Sequence, residues 1–237
     1  MEARRKNPLL MALIDPEKYS PNAAAHIASV LDDSSFHAIL VGGSTAIWQS
    51  KVDDVILAMR KETVKPIIIF PGSISNLSPR ADAVLFMSLL NSDSTYYMID
   101  QQFLAAPVVK GMGLEAIPTA YVIVGEGGTA GFVGRARPVP EDRPELAAIY
   151  ALTAGYLGFR LLYLEAGSGA KKPISPSFVE IVRKTSPIPV MAGGGVKTAA
   201  QVYELFDHGA DVVVVGNVLE NPSEANKLIQ GLKALRT

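Results

Sequence analysis

The sequence predicts an α/β fold, a modified (β/α)8 TIM barrel, from three observations. Apolar segments alternate with helical ones along the chain, which is typical of successive βαβ units. Several apolar segments are continuous, such as 67–70 and 212–215, and strands that are buried on both faces have this composition. The chain has 237 residues, and one such barrel typically has about 250. We therefore expect a single domain over residues 1–237.

The first half of the chain contains four predicted strands, at 9–14, 36–41, 66–70 and 82–89. Ser20 and Pro21 suit the N-cap and the first position of a helix that runs to about residue 31. A second helix follows the second strand and ends near residue 61. After the third strand, segment 71–79 is too short and too rich in helix breakers for a full helix. The third helix of the barrel is therefore expected to be missing or replaced.

The second half contains the other four strands, at 115–124, 159–164, 190–192 and 211–215. Helices are expected at 94–109, 144–157, from 176, from 199, and at 220–235. A glycine-rich stretch, 125–138, follows the fifth strand, and its Gly131 and Gly134 disfavour a helix there. Long loops inside a compact domain are usually functional, so we expect a flexible loop that closes over a substrate.

Two glycine turns near the end of the chain predict a phosphate site. Glycines 193–195 follow the seventh strand, and residues 216–217 follow the eighth. Glycine lets backbone amides approach a ligand without an intervening Cβ. Thr198 and Gln201 fit a capping box, so a helix begins after the first turn and directs its amide dipoles back at it. The phosphate site of a (β/α)8 barrel is built from these two loops.

The composition excludes several classes of protein. The net charge is −1 with a pI near 6.3 and no cluster of Lys and Arg, so nucleic acid is not expected as a partner. Cysteine is absent, which excludes disulfides and thiolate metal sites and fits a cytoplasmic protein. No uninterrupted apolar stretch reaches about 18 residues, so no membrane span is expected.

Polar residues at the ends of other strands indicate a metal site and a general base. Asp15 and Ser44 follow the first two strands, and their hard oxygen atoms suit Mg²⁺. Glu165 follows the sixth strand, and a carboxylate there can take a proton from a hydroxyl. A structural salt bridge of Glu165 to Arg160 or Lys171 is the alternative. The remaining polar residues expected at strand ends are Thr45, Asn91, Tyr163 and Ser168.

Six short motifs at these strand ends form a specific set. They are Ile14-Asp15-Pro16-Glu17-Lys18, Val41-Gly42-Gly43-Ser44, Phe70-Pro71-Gly72-Ser73, Tyr163-Leu164-Glu165-Ala166-Gly167-Ser168-Gly169-Ala170, Gly193-Gly194-Gly195-Val196 and Gly216-Asn217. This set resembles the geranylgeranylglyceryl phosphate synthase family, which includes the bacterial heptaprenylglyceryl phosphate synthases. The match extends from residue 10 to about residue 221.

The resemblance implies a reaction and roles for the site residues. Members of that family lack the third helix and join sn-glycerol 1-phosphate to a polyprenyl diphosphate through an ether bond in ether phospholipid biosynthesis, releasing diphosphate. By resemblance, Asp15 and Ser44 bind Mg²⁺, and Glu165 takes the proton of the glycerol 3-hydroxyl as it attacks an allylic cation. The residues implied to bind glycerol 1-phosphate are Tyr163, Leu164, Glu165, Ala166, Gly167, Ser168, Gly169, Gly194, Gly195, Gly216 and Asn217.

The lipid substrate and the partners are expected on the same basis. The prenyl chain, geranylgeranyl by resemblance, would follow an apolar groove toward Tyr96, Tyr97 and Phe132. Some family members carry a lysine where this chain has Ala12-Leu13-Ile14. The candidates for holding the diphosphate here are Arg135, Arg137 and Lys171. The resemblance implies a homo-oligomer, a dimer or a hexamer, with the helix that carries Met98, Ile99 and Phe103 as an interface. Peripheral membrane contact would come through the lipid substrate.

Two rival functions share the phosphate turns, because many chemistries use this cradle. A sugar-phosphate aldolase needs a Schiff-base lysine at a strand end, and a metal-dependent isomerase or epimerase needs histidines there. No predicted strand ends in either residue. A non-catalytic glycerol-phosphate sensor that regulates RNA would need a basic surface, which this near-neutral chain lacks.

Overall fold

The chain folds into a closed barrel of eight parallel strands in sequence order. The computed structural model describes residues 8–43 and 48–235. The strands are β1 (Leu9–Ile14), β2 (Ala38–Val41), β3 (Ile67–Ile69), β4 (Ala83–Leu89), β5 (Glu115–Ile123), β6 (Leu161–Glu165), β7 (Val190–Gly193) and β8 (Val212–Val215). The predicted fold class is confirmed.

Helices alternate with the strands around the barrel. They are α1 (Pro21–Asp32), α2 (Gln49–Met59), α3 (Gln101–Met112), α4 (Gly128–Val133), α5 (Pro144–Tyr156), α6 (Pro176–Thr185), α7 (Ala199–Asp207) and α8 (Pro222–Ala234). Ser20 and Ser175 cap α1 and α6 through their side chains, with proline at the first helical position, as the sequence predicts. None of the helices in the described ranges is long and apolar enough to cross a membrane.

The third helix is replaced by a single turn, as predicted. In the fully described stretch between β3 and β4, the helical structure is a 3₁₀ turn at Ile74–Asn76. The Oδ1 atom of Asn76 accepts hydrogen bonds from the amides of Gly72 (3.0 Å) and Ser73 (2.8 Å), which fixes this turn. The wall of the barrel is therefore thin beside β3 and β4.

The prediction of a flexible loop at 125–138 is wrong, because this stretch contains the short helix α4. Gly127 and Gly131 pack on the side chain of Ile123 at the end of β5, and a Cβ on Gly127 would lie 2.5 Å from its Cγ2 atom. The glycines therefore let a helix lie closely against the barrel. Tertiary packing here overrides the low helix propensity of glycine.

Two other helices differ from the prediction at their ends. The helix expected at 94–109 starts as a π-helix at Tyr96–Asp100 and continues as α3, where Gly113 ends it with a φ of 71°. The helix expected at 220–235 is α8, and a 3₁₀ turn at Asn217–Glu220 precedes it.

Apolar side chains form two layers around the strands. One layer fills the barrel and includes Leu40, Leu85 and Met191. The other lies between the strands and the helices and includes Ile39, Val84 and Ala192. Adjacent residues of a strand thus enter different layers, which explains why the strands are continuously apolar.

Candidate active site

A polar cavity of about 440 Å³ opens at the carboxyl ends of the strands. This is the end where (β/α)8 barrels hold their active sites. Asp15 after β1, Glu165 at the end of β6 and Asn217 after β8 all line the cavity. The residues predicted as metal ligand, general base and phosphate turn therefore open onto one space.

Glu165 is a buried carboxylate on the wall of this cavity, 5% exposed. Its Oε1 atom accepts a hydrogen bond of 2.7 Å from the amide of Gly167. Burial raises the pKa of Glu165 above its usual value, while the Gly167 amide and the hydroxyls of Tyr163 and Tyr121 oppose the increase. Such a carboxyl group is suited to accept a proton.

The salt bridge considered for Glu165 does not form. Arg160 pairs with Glu115, at 3.9 Å on the surface. Among the described residues, no Lys or Arg side chain forms an ion pair with Glu165. The carboxylate is therefore stabilised by an amide and hydroxyl groups instead of a cation.

Two tyrosines flank the carboxylate inside the barrel. Tyr121 and Tyr163 are paired across β5 and β6, and both line the cavity. Burial, followed by the charge of Glu165, raises both tyrosine pKa values well above the usual one, so both hydroxyls stay protonated. The Tyr163 hydroxyl is buried without a hydrogen-bond partner of normal geometry among the described residues. Buried hydroxyls rarely lack a partner, so this one is available to a ligand.

The glycine turn after β7 is shaped by contacts that exclude larger residues. Gly194 and Gly195 have φ values of 85° and 73°, in the left-handed region that favours glycine. A Cβ on Gly194 would lie 2.5 Å from the Oε1 atom of Glu165. Thr198 caps α7 with the predicted capping box to Gln201. The turn thus presents backbone to the cavity beside the carboxylate.

Most, but not all, of the residues expected at glycerol 1-phosphate line the cavity. Those that line it are Tyr163, Glu165, Ser168, Gly169, Gly194, Gly195, Gly216 and Asn217. Leu164 points away, into the layer between strands and helices, because successive strand residues face opposite sides. Ala166 packs against that layer too, and Gly167 contributes its amide to Glu165.

Asp15 is an acidic residue of the opposite wall, which also includes Glu17 and Glu220. Its Oδ1 atom accepts a hydrogen bond of 3.0 Å from the amide of Glu17. Desolvation raises the pKa of Asp15, and the Glu17 amide and Lys18 oppose the increase. Ser44, the other expected Mg²⁺ ligand, lies outside the described residues. Within those residues, no group of three or more His, Cys, Asp or Glu side chains is arranged to hold a metal ion.

A second, apolar cavity of about 120 Å³ adjoins the polar one. Phe70, Tyr121 and Ala130 line both cavities. The apolar cavity also reaches Ile74 in the turn that replaces the third helix, and Ala105 in α3. It therefore runs from the site of Glu165 toward the thin part of the barrel wall.

Only one of the three aromatic residues expected along the prenyl chain lines the apolar cavity. Tyr97 lines the apolar cavity, whereas Tyr96 does not and packs edge-to-face on Tyr97. Phe132 is 87% exposed and points away from both cavities. Their apolar character alone did not distinguish a cavity wall from an outer surface.

Among the described residues, the cations that line the polar cavity are Lys18 and Lys197, which were not predicted from the sequence as site residues. Lys18 forms an ion pair of 2.6 Å with Glu220 at the rim. Arg135, Arg137 and Lys171, the candidates named from the sequence, do not line the cavity. Lys18 lies three residues after Asp15 in the first motif, and this position could have indicated that it belongs to the site.

Known proteins resemble this chain over nearly its whole length. The model of the PcrB family matches residues 1–234. A geranylgeranylglyceryl phosphate synthase of Pyrococcus abyssi is 44% identical over 96% of this chain and 90% of its own. The corresponding protein of Saccharolobus solfataricus is 45% identical over 95% of this chain and 89% of its own.

A solved structure extends the comparison to the fold. The crystal structure of (S)-3-O-geranylgeranylglyceryl phosphate synthase from Thermoplasma acidophilum, in complex with its substrate sn-glycerol 1-phosphate, superposes with a TM-score of 0.93. It is 39% identical and covers 98% of this chain and 94% of its own. From the full-length family match and these relatives, we conclude that the chain belongs to the PcrB family.

Proposed function

We propose that this protein joins sn-glycerol 1-phosphate to a polyprenyl diphosphate, of the geranylgeranyl type, through an ether bond. The observation that carries the proposal is the buried carboxylate of Glu165 in a polar cavity that adjoins an apolar one, with Tyr121 lining both. The relative from Thermoplasma acidophilum binds sn-glycerol 1-phosphate and shares 39% of its residues with this chain, which supports the assignment of the polar substrate.

The reaction breaks one bond and forms another at the allylic carbon. The bond from that carbon to the diphosphate oxygen breaks, and diphosphate leaves with the electron pair. The 3-hydroxyl oxygen of glycerol 1-phosphate bonds to the same carbon, and its proton passes to Glu165. The raised pKa of Glu165 brings it closer to that of a good proton acceptor at neutral pH.

The phosphate of glycerol 1-phosphate fits the two glycine turns. Gly194 and Gly195 offer backbone that a phosphate can approach closely, and Asn217 adds a side chain after β8. Lys197 lies on the same wall and supplies positive charge. The glycerol hydroxyls would then lie toward Tyr163, whose hydroxyl has no hydrogen bond of normal geometry among the described residues.

The first part of the prenyl chain would occupy the apolar cavity. Phe70 and Tyr121 lie where the two cavities meet, with ring centroids 5.8 Å apart in an edge-to-face arrangement. Aromatic faces attract positive charge, so this boundary suits the allylic end of the lipid. The cavity then continues along α3, which contributes Gln102 and Ala105 to its wall.

We also propose Mg²⁺ as the cofactor, held by Asp15 together with Ser44. Mg²⁺ binds one or two carboxylates and substrate phosphates while it keeps several waters. The half-buried carboxylate of Asp15 lines the polar cavity, and one of its oxygen atoms accepts a hydrogen bond from the Glu17 amide, which supports its role as a ligand. When bound, Mg²⁺ would neutralise charge on the leaving diphosphate.

A homo-oligomer is part of the same proposal. Ile99 and Phe103 are 59% and 77% exposed on the π-helix and α3. Side chains of this kind on one helical surface are typical of subunit contacts.

The test is a transfer assay on the purified protein. We expect radiolabelled sn-glycerol 1-phosphate to become extractable into organic solvent when a polyprenyl diphosphate and Mg²⁺ are present, and to stay aqueous with chelator. A panel of chain lengths identifies the preferred lipid. If no chain length gives extractable label, the proposal is wrong.

A further inference from the structure

Asn91 is buried at the end of β4, 2% exposed, and lines neither cavity. Its Nδ2 atom donates hydrogen bonds to the carbonyls of Ile123 (2.9 Å) and Arg137 (3.0 Å). Its Oδ1 atom accepts a hydrogen bond of 3.1 Å from the amide of Ile123. One side chain thus ties the end of β5 and the segment after α4 to the end of β4.

Ser92 adds a second connection to the same segment. Its Oγ atom donates a hydrogen bond of 2.7 Å to the carbonyl of Gly134, the residue after α4. The next residue, Arg135, has a φ of 51°, which residues with a Cβ rarely adopt. Asn91 and Ser92, which we call the clamp, therefore hold the end of α4 in a defined conformation.

The segment that the clamp holds is a wall of both cavities. Within α4, Thr129 faces the polar cavity, Val133 faces the apolar cavity and Ala130 lines both. The start of α4 packs on the loop after β6, where a Cβ on Gly128 would lie 3.0 Å from the Ser168 carbonyl oxygen. Because α4 is fixed at both ends, it closes the space where the two substrates would meet.

We propose that Asn91 is a positioning residue that holds α4 over the reacting carbon and keeps water from it. This inference rests on the proposed function. If α4 moves, a water oxygen can bond to the allylic carbon in place of the glycerol oxygen. Diphosphate still leaves with its electron pair, the water proton passes to solvent, and the product is a prenyl alcohol.

The first test compares Asn91→Ala with Ser186→Ala. Ser186 is also buried, and its Oγ atom donates a hydrogen bond of 2.6 Å to the Ile188 carbonyl between α6 and β7, at the amino end of the barrel. We expect Asn91→Ala to raise the ratio of prenyl alcohol to ether product roughly tenfold, because it removes several buried hydrogen bonds. The KM for polyprenyl diphosphate should rise by a similar factor. Ser186→Ala should leave both values unchanged. An unchanged product ratio in Asn91→Ala overturns the inference, since that ratio does not depend on the amount of folded enzyme.

The second test does not depend on the reaction. Trypsin can cut after Arg135, which is exposed and follows α4. At a temperature well below unfolding, Asn91→Ala should be cut there roughly tenfold faster than the wild type and Ser186→Ala. Equal cutting rates would contradict the role of Asn91. If the wild type makes no ether product, the proposed function fails, while this cutting rate still decides whether Asn91 holds α4.

Discussion

Tyr121 and Tyr163 face each other across β5 and β6, with ring centroids 5.2 Å apart and an angle of 73° between the rings. Both hydroxyls approach the carboxylate of Glu165, which lies two residues after Tyr163 on the same face of β6. They oppose the increase that burial causes in the pKa of Glu165. Together with burial and the Gly167 amide, which have larger effects, these two hydroxyls influence the pKa of Glu165 and thus the pH at which it can accept a proton.

Tyr121→Phe should move the acidic limb of the pH profile of kcat to higher pH. The variant keeps the ring but removes a hydroxyl that lowers the pKa of Glu165, so this pKa rises and a higher pH is needed to ionise the carboxyl group. Rates from pH 4 to 9 measure the shift. Tyr203→Phe is the control and should not move the limb. It removes a hydroxyl of α7 that donates a hydrogen bond to the Leu232 carbonyl in α8. A Tyr121→Phe profile identical to that of the wild type would show that this hydroxyl does not act on Glu165.

Glu165→Gln should abolish turnover and leave glycerol 1-phosphate binding largely intact. The amide cannot accept the hydroxyl proton, and loss of a general base typically lowers kcat by about 10²–10⁴-fold. Calorimetry gives the dissociation constant and the label assay gives the rate. If binding falls as much as turnover, the carboxylate is a ligand for the substrate and not a base.

The same variant should be more stable than the wild type at neutral pH. The pKa of Glu165 is higher in the folded state than in the unfolded state, so ionisation destabilises the folded protein as the pH rises through the folded pKa. Each unit by which the folded-state pKa exceeds the unfolded-state pKa lowers the free energy of unfolding by about 1.4 kcal/mol. Thermal unfolding should give a higher Tm for Glu165→Gln at pH 8. The advantage should disappear as the pH falls below the usual carboxyl pKa. A lower Tm of Glu165→Gln at pH 8 would contradict the conclusion that the ionised carboxylate destabilises the folded protein.

Gly194→Ala should destabilise the protein and reduce its activity. The added Cβ would lie 2.5 Å from the Glu165 carboxylate, and the φ of 85° is unfavourable for alanine by about 1–2 kcal/mol. Gly111→Ala is the matched control, because nothing lies within 4 Å of its Cβ and it is inside α3. That change should stabilise by about 0.5–1 kcal/mol. Denaturant unfolding compares the two, and equal effects would show that the turn tolerates a side chain.

Asp15→Asn should raise the Mg²⁺ concentration required for half-maximal activity by at least about tenfold. The change removes the charge of the proposed ligand and keeps its shape. Asp54→Asn, at an exposed position in α2, should leave the requirement unchanged. Magnesium titrations of the label assay measure both variants. The Mg²⁺ proposal is wrong if Asp15→Asn and the wild type share one titration curve.

The barrel and the glycine turns could be predicted from the sequence because their signals are local. Continuous apolar runs mark the strands, and Gly194 sits in a turn that requires its positive φ. α4 could not be predicted, because glycine has a low helix propensity. Gly127 and Gly131 allow the helix to pack on Ile123, and this tertiary contact cannot be read from the local sequence. Likewise, Phe132 and Tyr97 are both aromatic residues. Only the folded structure shows that Phe132 is exposed and that Tyr97 lines a cavity.

The single turn at Ile74–Asn76 has a consequence for the size of molecule that the barrel can accept. A complete ring of helices would confine any ligand to the depth of the barrel mouth. With a turn in place of one helix, the apolar cavity reaches Leu85 inside β4 and Val84 outside it. A hydrocarbon much longer than the barrel radius can then leave sideways while its reactive end stays at the centre. This short turn thus makes a small-molecule scaffold compatible with a lipid.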